Sequence, residues 1–458
     1  MQTELILSYL DKLNSILWGP LMLLFLLGTG VLFTFKLRFL QVTKIGMAFK
    51  QIFKVDESES DAEGMSPFQS LSTAIAAQVG TGNLAGVATA IAVGGPGSIF
   101  WMWISGFFGM GTIFAEAVLA QIFNEERDGE LTGGPAYYIK NGLNNKFLAG
   151  FFAVSIVLAL GIMGNMVQSN SIAAAVKNVV PIPSILIGII IAVLSGLVLS
   201  GGVSRIGAFT EKVVPFMAAF YILGGVIIVS LNIEQLLPAL KMIIHGAFDP
   251  QAATGGFIGA TVKETVRYGI ARGLFSNEAG MGSTPHAHAV AKVKHPVQQG
   301  LVSLIGVIVD TGVVCTITAL VILTTGAFET GMTGAALTQE GFRLGFSFWG
   351  NFGTSFIAVC LFFFAFSTII GWYFFGEQNI KYLFGNKGIK YYRPLVLIGI
   401  AVAPLLDVEL VWSLADSFNA LMVVPNLIAL VGLTGLVVKA LNEFIAITEA
   451  EDAAKKAS

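Results

Sequence analysis

Two adjacent hydroxyls, Ser367 and Thr368, sit inside the aromatic run Phe364-Ala365-Phe366-Ser367-Thr368-Ile369-Ile370-Gly371-Trp372. Far earlier, Gln78-Val79-Gly80-Thr81-Gly82-Asn83 interrupts an apolar stretch that opens at Ser66-Pro67-Phe68 and closes at Gly95-Pro96-Gly97. A plain membrane span stays helical because every backbone N–H and C=O in hydrocarbon must be bonded. Glycine in a helix interior costs about 1 kcal/mol. A break at mid-span is tolerated where it lines a protein cavity. There, freed carbonyls can hold a cation and freed N–H groups can hold an anion. Paired hydroxyls add neutral oxygens, which suit a hard cation. An isolated membrane Ser or Thr more often bonds its own helix carbonyls. A pair opposite a broken helix points to cation ligands instead.

Composition says what surrounds these residues. Mean hydropathy is +0.78, and only 12% of the 458 residues are charged. A soluble chain of this size needs far more surface charge, so the fold class is an all-α polytopic membrane protein. A net charge of −2 argues against a nucleic-acid partner. Cys315 and Cys360 lie in apolar stretches and read as buried, reduced thiols. Leu5, Ile6, Tyr9, Leu10, Leu13 and Leu17 recur at helical spacing, which predicts a short interfacial helix and no cleavable signal peptide. Runs of about 20 apolar residues mark spans. About eleven are expected, at 17–36, 68–93, 98–123, 148–176, 182–200, 207–231, 254–284, 297–325, 346–377, 393–408 and 413–440. Pro215 kinks the sixth without ending it.

Of 26 Lys and Arg, 19 fall in alternate connecting segments if the N-terminus lies outside, and 4 fall on the opposite side. The excess of basic residues in cytoplasmic loops therefore predicts an outside N-terminus and a cytoplasmic C-terminus. The seventh span repeats the anomaly of the second: Gly269, Arg272, Gly273, Asn277, Glu278, Gly280 and Gly282 interrupt it. Spans two and seven are five apart and so cross in opposite directions. The expectation is one transmembrane domain over 1–458. Residues 1–66 hold the interfacial helix, an extra span and a loop. Two five-helix inverted repeats follow at 67–231 and 254–440, and a cytoplasmic tail at 441–458. Breaks at corresponding places in two halves are the strongest sequence pointer to a transport site. Gly82-xxx-Gly86 is also a helix-packing motif, but polar residues at both breaks favour a site.

The stretches Gly80-Thr81-Gly82-Asn83, Gly94-Gly95-Pro96-Gly97 with Trp101-Met102-Trp103, Phe275-Ser276-Asn277-Glu278-Ala279-Gly280 and Ala365 to Trp372 resemble the alanine/glycine:cation symporter family. The resemblance implies the amino acid–polyamine–organocation architecture, or leucine-transporter fold, in a multi-pass cell-membrane protein. It also implies uptake of alanine or glycine coupled to Na⁺ or H⁺, with no other cofactor and a functional monomer. On that match Na⁺ is held by the carbonyls of Ala76, Val79 and Phe364 and the hydroxyls of Ser367 and Thr368. The position of Ala77 is Asn in some relatives of the fold, and with Gln78 beside it a second sodium site is not implied.

A zwitterionic substrate needs both ends of a broken helix. The N–H groups near Thr81 and Gly82 suit its carboxylate. Carbonyls around Leu274 to Asn277 suit its ammonium. The remaining expected contacts are Gln78, Gly80, Asn83, Gln168, Asn170, Phe275, Ser276, Asn277 and Trp372. Asn170 is the preferred contact on span four, and Phe275 and Trp372 wall the side-chain pocket. Interhelical bonding is the competing role for Asn165, Gln168 and Asn170, and core packing for the aromatics. Intramembrane charge is costly unless paired or wet. Arg272, Glu116, Asp310 and Asp416 therefore read as structural pairs or gate elements, and Glu278 as one of these or a proton carrier. His286-x-His288 reads as a surface pair. A channel, or a carrier of another small zwitterion, is the alternative. No charged ring or repeated carbonyl filter supports a channel. An intramembrane enzyme finds no HExxH or GxSxG.

Overall fold

The computed structural model describes residues 2–53, 63–177, 179–249 and 261–457. Among them, eight helices are long and apolar enough to cross a membrane: Ile6–Lys36, Ser98–Ile122, Lys146–Lys177, Gly202–Leu231, Pro296–Thr324, Phe352–Phe384, Asn386–Leu405 and Leu410–Gly432. The pair Pro67–Gln78 and Gly82–Gly94, bent by 49°, makes a ninth. The other two expected spans are the shorter apolar helix Ser184–Leu199 and the polar helix Val262–Asn277. Span numbers one to eleven are kept for these helices in chain order. Leu21, Leu24, Leu197, Leu223 and Ile398 point outward, while Glu116, Asn165, Gln168, Asp310 and Asn426 are buried. Apolar outside and polar inside is what a lipid solvent selects.

Local chemistry starts and stops the critical helices. Ser66 and Gln69 close a capping box with Pro67 at the first helical position, which is the strongest start signal available. That helix ends at Gln78, because Val79 turns extended at ψ 91°. The chain restarts as a wide π-type turn, Gly82–Gly86, before Val87–Gly94. Span seven opens on a second capping box, Thr261 with Glu264. Its helix stops at Asn277, where Glu278 takes a left-handed φ of 59°. Gly280 and Gly282 follow at φ 84° and 79°, before the short helix Pro285–Ala289. The helix runs unbroken through Gly269 and Gly273. There a Cβ would come within 2.3 Å of the Ser98 carbonyl and 2.4 Å of the Ser105 hydroxyl. Those two glycines serve close packing on span three, and only the later pair serves the break. Residues 254–260, also expected in span seven, lie outside the described residues.

The N-terminal helix, Gln2–Leu17, is fastened to span eleven. Asn14 donates to the Ser413 carbonyl at 2.9 Å, and the Trp18 indole donates to the Asp416 carbonyl at 2.9 Å. It is a wall of the bundle as well as an apolar leader into span one. Pro215 lies inside the continuous helix Gly202–Leu231. Cys315 and Cys360 are free and buried. Outside the spans are the helices Ile233–Gly246 and Gly334–Gly345 and a small hairpin that pairs Glu125 with Thr132 and Arg127 with Glu130.

Candidate functional site

Span nine meets the break of span two through its two hydroxyls. Thr368 Oγ1 donates among three carbonyls: Phe364 at 2.9 Å, Ala76 at 3.0 Å and Val79 at 3.4 Å. Ser367 Oγ lies 2.9 Å from the Phe364 carbonyl. All five residues are fully buried. The Ala76 carbonyl is free to face Thr368 because the Gly80 N–H, its ordinary helical partner, bonds Asn83 Oδ1 at 2.9 Å instead. The approach depends on Gly80, since a Cβ there would sit 2.5 Å from Thr368 Oγ1. Five neutral oxygens thus converge beside a helix end, which carries partial negative charge.

A second cluster joins both breaks to span eight. Asp310 Oδ1 accepts from Asn83 Nδ2 at 2.5 Å and Ser276 Oγ at 2.9 Å. Asp310 Oδ2 accepts from Thr311 Oγ1 at 2.7 Å. Thr311 Oγ1 in turn accepts from Asn277 Nδ2 at 3.1 Å, and Gln78 Nε2 donates to the Asn277 carbonyl at 2.6 Å. The side chains of Asn83, Ser276 and Asn277, expected at the substrate, are therefore committed to Asp310 and Thr311. Asp310 is legible in sequence as a costly buried carboxylate, but not as the hub of both breaks. Its signal was a lone carboxylate in an apolar run, but its partners lie on two other helices.

Gln168 Nε2 donates to Thr81 Oγ1 at 3.1 Å, which ties span four to the break of span two. Among the described residues, Gln168 Oε1 and Gln78 Oε1 are buried acceptors without a partner. Beside this layer lies a cavity of about 550 Å³, lined among others by Gly82, Asn170, Arg272, Phe275, Trp412 and Asp416. A second cavity, about 520 Å³, adjoins it and shares Arg272, Phe275, Trp412 and Asp416. Both lie toward the end of the bundle that carries the N-terminal helix and Gly334–Gly345. Of the expected substrate contacts, Gly82, Asn170 and Phe275 line the first cavity. Asn170 also donates to the carbonyls of Ala403 at 3.0 Å and Leu406 at 3.2 Å, an interhelical bond of the kind weighed against its substrate role. The Phe275 ring faces Trp412 at 6.3 Å. Trp412 carries no break of its own in the chain, and its place at the cavity comes from its contact with Phe275 on a distant helix.

Trp372 lines neither cavity. Its indole donates to Glu278 Oε1 at 2.7 Å, and Ser283 Oγ donates to Oε2 at 2.5 Å. Glu116 holds the unwound stretch of span seven: it accepts from the N–H groups of Gly280 at 3.1 Å and Gly282 at 2.9 Å, and from Asn426 at 2.7 Å. His286 and His288 are both buried, which corrects their expected surface placement. The His286 ring spans from the Ser283 carbonyl, 2.7 Å away, to the Asn379 amide at 2.8 Å. His288 accepts from Gln299 at 2.7 Å. The chain beyond the break folds back into the bundle and carries both rings inward.

A helical membrane bundle with a broken span, a polar centre and a cavity leading to one face is the build of a transporter. The chain belongs to the sodium:alanine symporter family, which it matches across residues 3–457. It is 43% identical over 449 residues to the sodium/alanine symporter AgcS of Methanococcus maripaludis, covering 95% of this chain and 97% of that one. It is 41% identical over 433 residues to the probable sodium/glutamine symporter GlnT of Bacillus subtilis, covering 94% and 89%. Among solved structures, a manganese transporter of Eremococcus coleocola shares the fold at TM-score 0.54 and 14% identity, covering 80% of this chain and 79% of that one.

Proposed function

We propose that this protein is a Na⁺-coupled symporter that takes up alanine, and also glycine, across the cell membrane by alternating access. Its family supports Na⁺ and alanine as the transported pair. The observation that carries the coupling is the convergence of the Ala76, Val79 and Phe364 carbonyls with the hydroxyls of Ser367 and Thr368. Such a set of neutral oxygens would exchange its hydroxyl–carbonyl bonds for a hard cation. The substrate carboxylate would take the N–H groups near Thr81 and Gly82, because the Gly80 N–H is spent on Asn83. Of the carbonyls expected for the ammonium, Leu274 is bonded by Glu278 N and Asn277 by Gln78. Phe275, Ser276 and the partnerless Gln168 Oε1 then remain as its acceptors.

The chain reads as two inverted five-helix repeats of leucine-transporter type, with the N-terminus outside, the C-terminus in the cytoplasm and a monomer as the working unit. The two cavities then face outward, and Glu116, Glu278, Trp372 and the buried histidines close the inner side. Coupling to one Na⁺ gains about 2.3 kcal/mol per 100 mV, and a tenfold Na⁺ gradient adds roughly 1.4 kcal/mol. The two sustain accumulation on the order of several hundredfold. H⁺ is the rival coupling ion, with Glu278 as its carrier. Uptake of labelled alanine into proteoliposomes, with Na⁺ replaced by choline and then with a pH gradient alone, decides between them. Loss of concentrative uptake in choline supports Na⁺, and full uptake on the pH gradient alone removes it.

A further inference from the structure

A separate cavity of about 320 Å³ lies where span one and the C-terminal helix leave the bundle. Span one's helix closes at Lys36. Arg38 and Phe39 then both adopt left-handed backbone, at φ 56° and 55°. That region is sparsely populated by non-glycine residues because Cβ crowds the carbonyl. The reversal leads into the short helix Leu40–Thr43 and brings Lys36, Arg38 and Lys44 onto one cavity. The opposite wall is mostly apolar, with Val438, Leu441 and Ile445 of the helix Thr434–Ala457 beside the polar Asn442. Among the described residues, no carboxylate lines this cavity. Glu449 lines a smaller neighbouring cavity with Lys44, and Glu443 faces Lys439 at 3.7 Å. Among the described residues, none of the three cations is in an ion pair.

We infer that this cavity is a binding site for an anionic phospholipid. Its phosphate sits among Lys36, Arg38 and Lys44, and its acyl chains run along the leucine and isoleucine wall. Three cations beside an apolar surface at a span terminus match an amphiphile with an anionic head. Basic pockets between helices on the cytoplasmic side recognise such headgroups. On the proposed orientation the site also lies on the side to which the loop assignment gives 19 of the 26 basic residues. The lipid would join two elements that lie outside the proposed repeats, span one and the C-terminal helix.

The test uses the full chain purified in a neutral detergent. Thermal unfolding is followed while phosphatidylglycerol, phosphatidylcholine or inorganic phosphate is titrated. The wild type is compared with the triple variant Lys36→Gln, Arg38→Gln, Lys44→Gln and with the charge-keeping pair Lys36→Arg, Lys44→Arg. Phosphatidylglycerol should stabilise the wild type and the charge-keeping pair, whereas phosphatidylcholine and phosphate should not. The triple variant should lose about fivefold in apparent lipid affinity per charge, on the order of a hundredfold in all. An equal response of wild type and triple variant overturns the inference. So does a full shift from inorganic phosphate alone, or a triple variant destabilised to the same extent with and without lipid. None of these readings depends on what the protein transports.

Discussion

The two broken helices are broken in different ways. At span two the break is built from glycine and neutral amides. Three of its freed backbone groups meet neutral side chains, Thr368 at the Ala76 and Val79 carbonyls and Asn83 at the Gly80 N–H, and the Asp310 carboxylate is held one step away, on the Asn83 amide. At span seven the break is built around carboxylates. Glu116 accepts from two successive glycine N–H groups, and Glu278 accepts from Trp372 and Ser283. Neutral partners can be exchanged for a cargo ion at little cost. A buried carboxylate that satisfies backbone N–H groups cannot be withdrawn without stranding them. A break by itself therefore does not make a site, since what holds its freed groups differs between the two. On the proposed function the first break would be the exchangeable one, and the second a fixed joint whose N-terminal side lines the cavity.

The largest effect should come from filling the exchangeable break. Gly80→Leu places side-chain atoms on Thr368 Oγ1, where even a Cβ reaches 2.5 Å. Alanine uptake should vanish while the protein stays folded in detergent. Gly82→Ala should be far milder, because a Cβ there meets nothing nearer than 3.5 Å. Equal transport by the Gly80 variant and wild type would remove span two from the ion site.

Next in size is the joint. Glu116→Ala strands the N–H groups of Gly280 and Gly282, and each stranded buried donor costs about 1–3 kcal/mol. The unfolding midpoint should drop by many degrees, and Glu116→Gln should recover part of the loss because its carbonyl still accepts. A variant with wild-type stability contradicts the idea of a fixed joint.

The aromatics should separate the two regions more finely. Phe275→Ala or Trp412→Ala opens the cavity. Each should admit larger side chains in competition against labelled alanine and weaken alanine itself severalfold. Trp372→Ala should leave the rank order from glycine to leucine alone and perturb turnover, since its indole serves Glu278. A changed rank order in Trp372→Ala together with an unchanged one in the other two would restore Trp372 as a pocket wall. The smallest effect expected is Gln168→Ala, a few-fold rise in KM with little change in maximal rate.

Much of the span layout was legible in the chain, because apolar run length and capping signals such as Ser66-Pro67 and Thr261-x-x-Glu264 are local. The break of span two was legible for the same reason: Gly80, Gly82 and their polar neighbours contradict a membrane helix in a single short window. Span seven was harder. Its four glycines look alike in sequence, yet Gly269 and Gly273 serve packing on span three, and only Gly280 and Gly282 take left-handed backbone. Which role a glycine plays depends on the neighbour it meets. The partners of Asp310, the place of Trp412 and the burial of His286 and His288 were hidden for a similar reason. Their partners come from helices far away in sequence, and no periodicity encodes that convergence.

On the proposed function, Ser367 and Thr368 complete a cation site at the break of span two. The most direct measurement is the affinity for alanine as a function of Na⁺ concentration, in wild type and in Ser367→Ala/Thr368→Ala, by calorimetry on purified protein. Na⁺ should tighten alanine binding in the wild type, and the double variant, still folded, should lose this dependence. Na⁺ dependence of the same steepness in the double variant would contradict it.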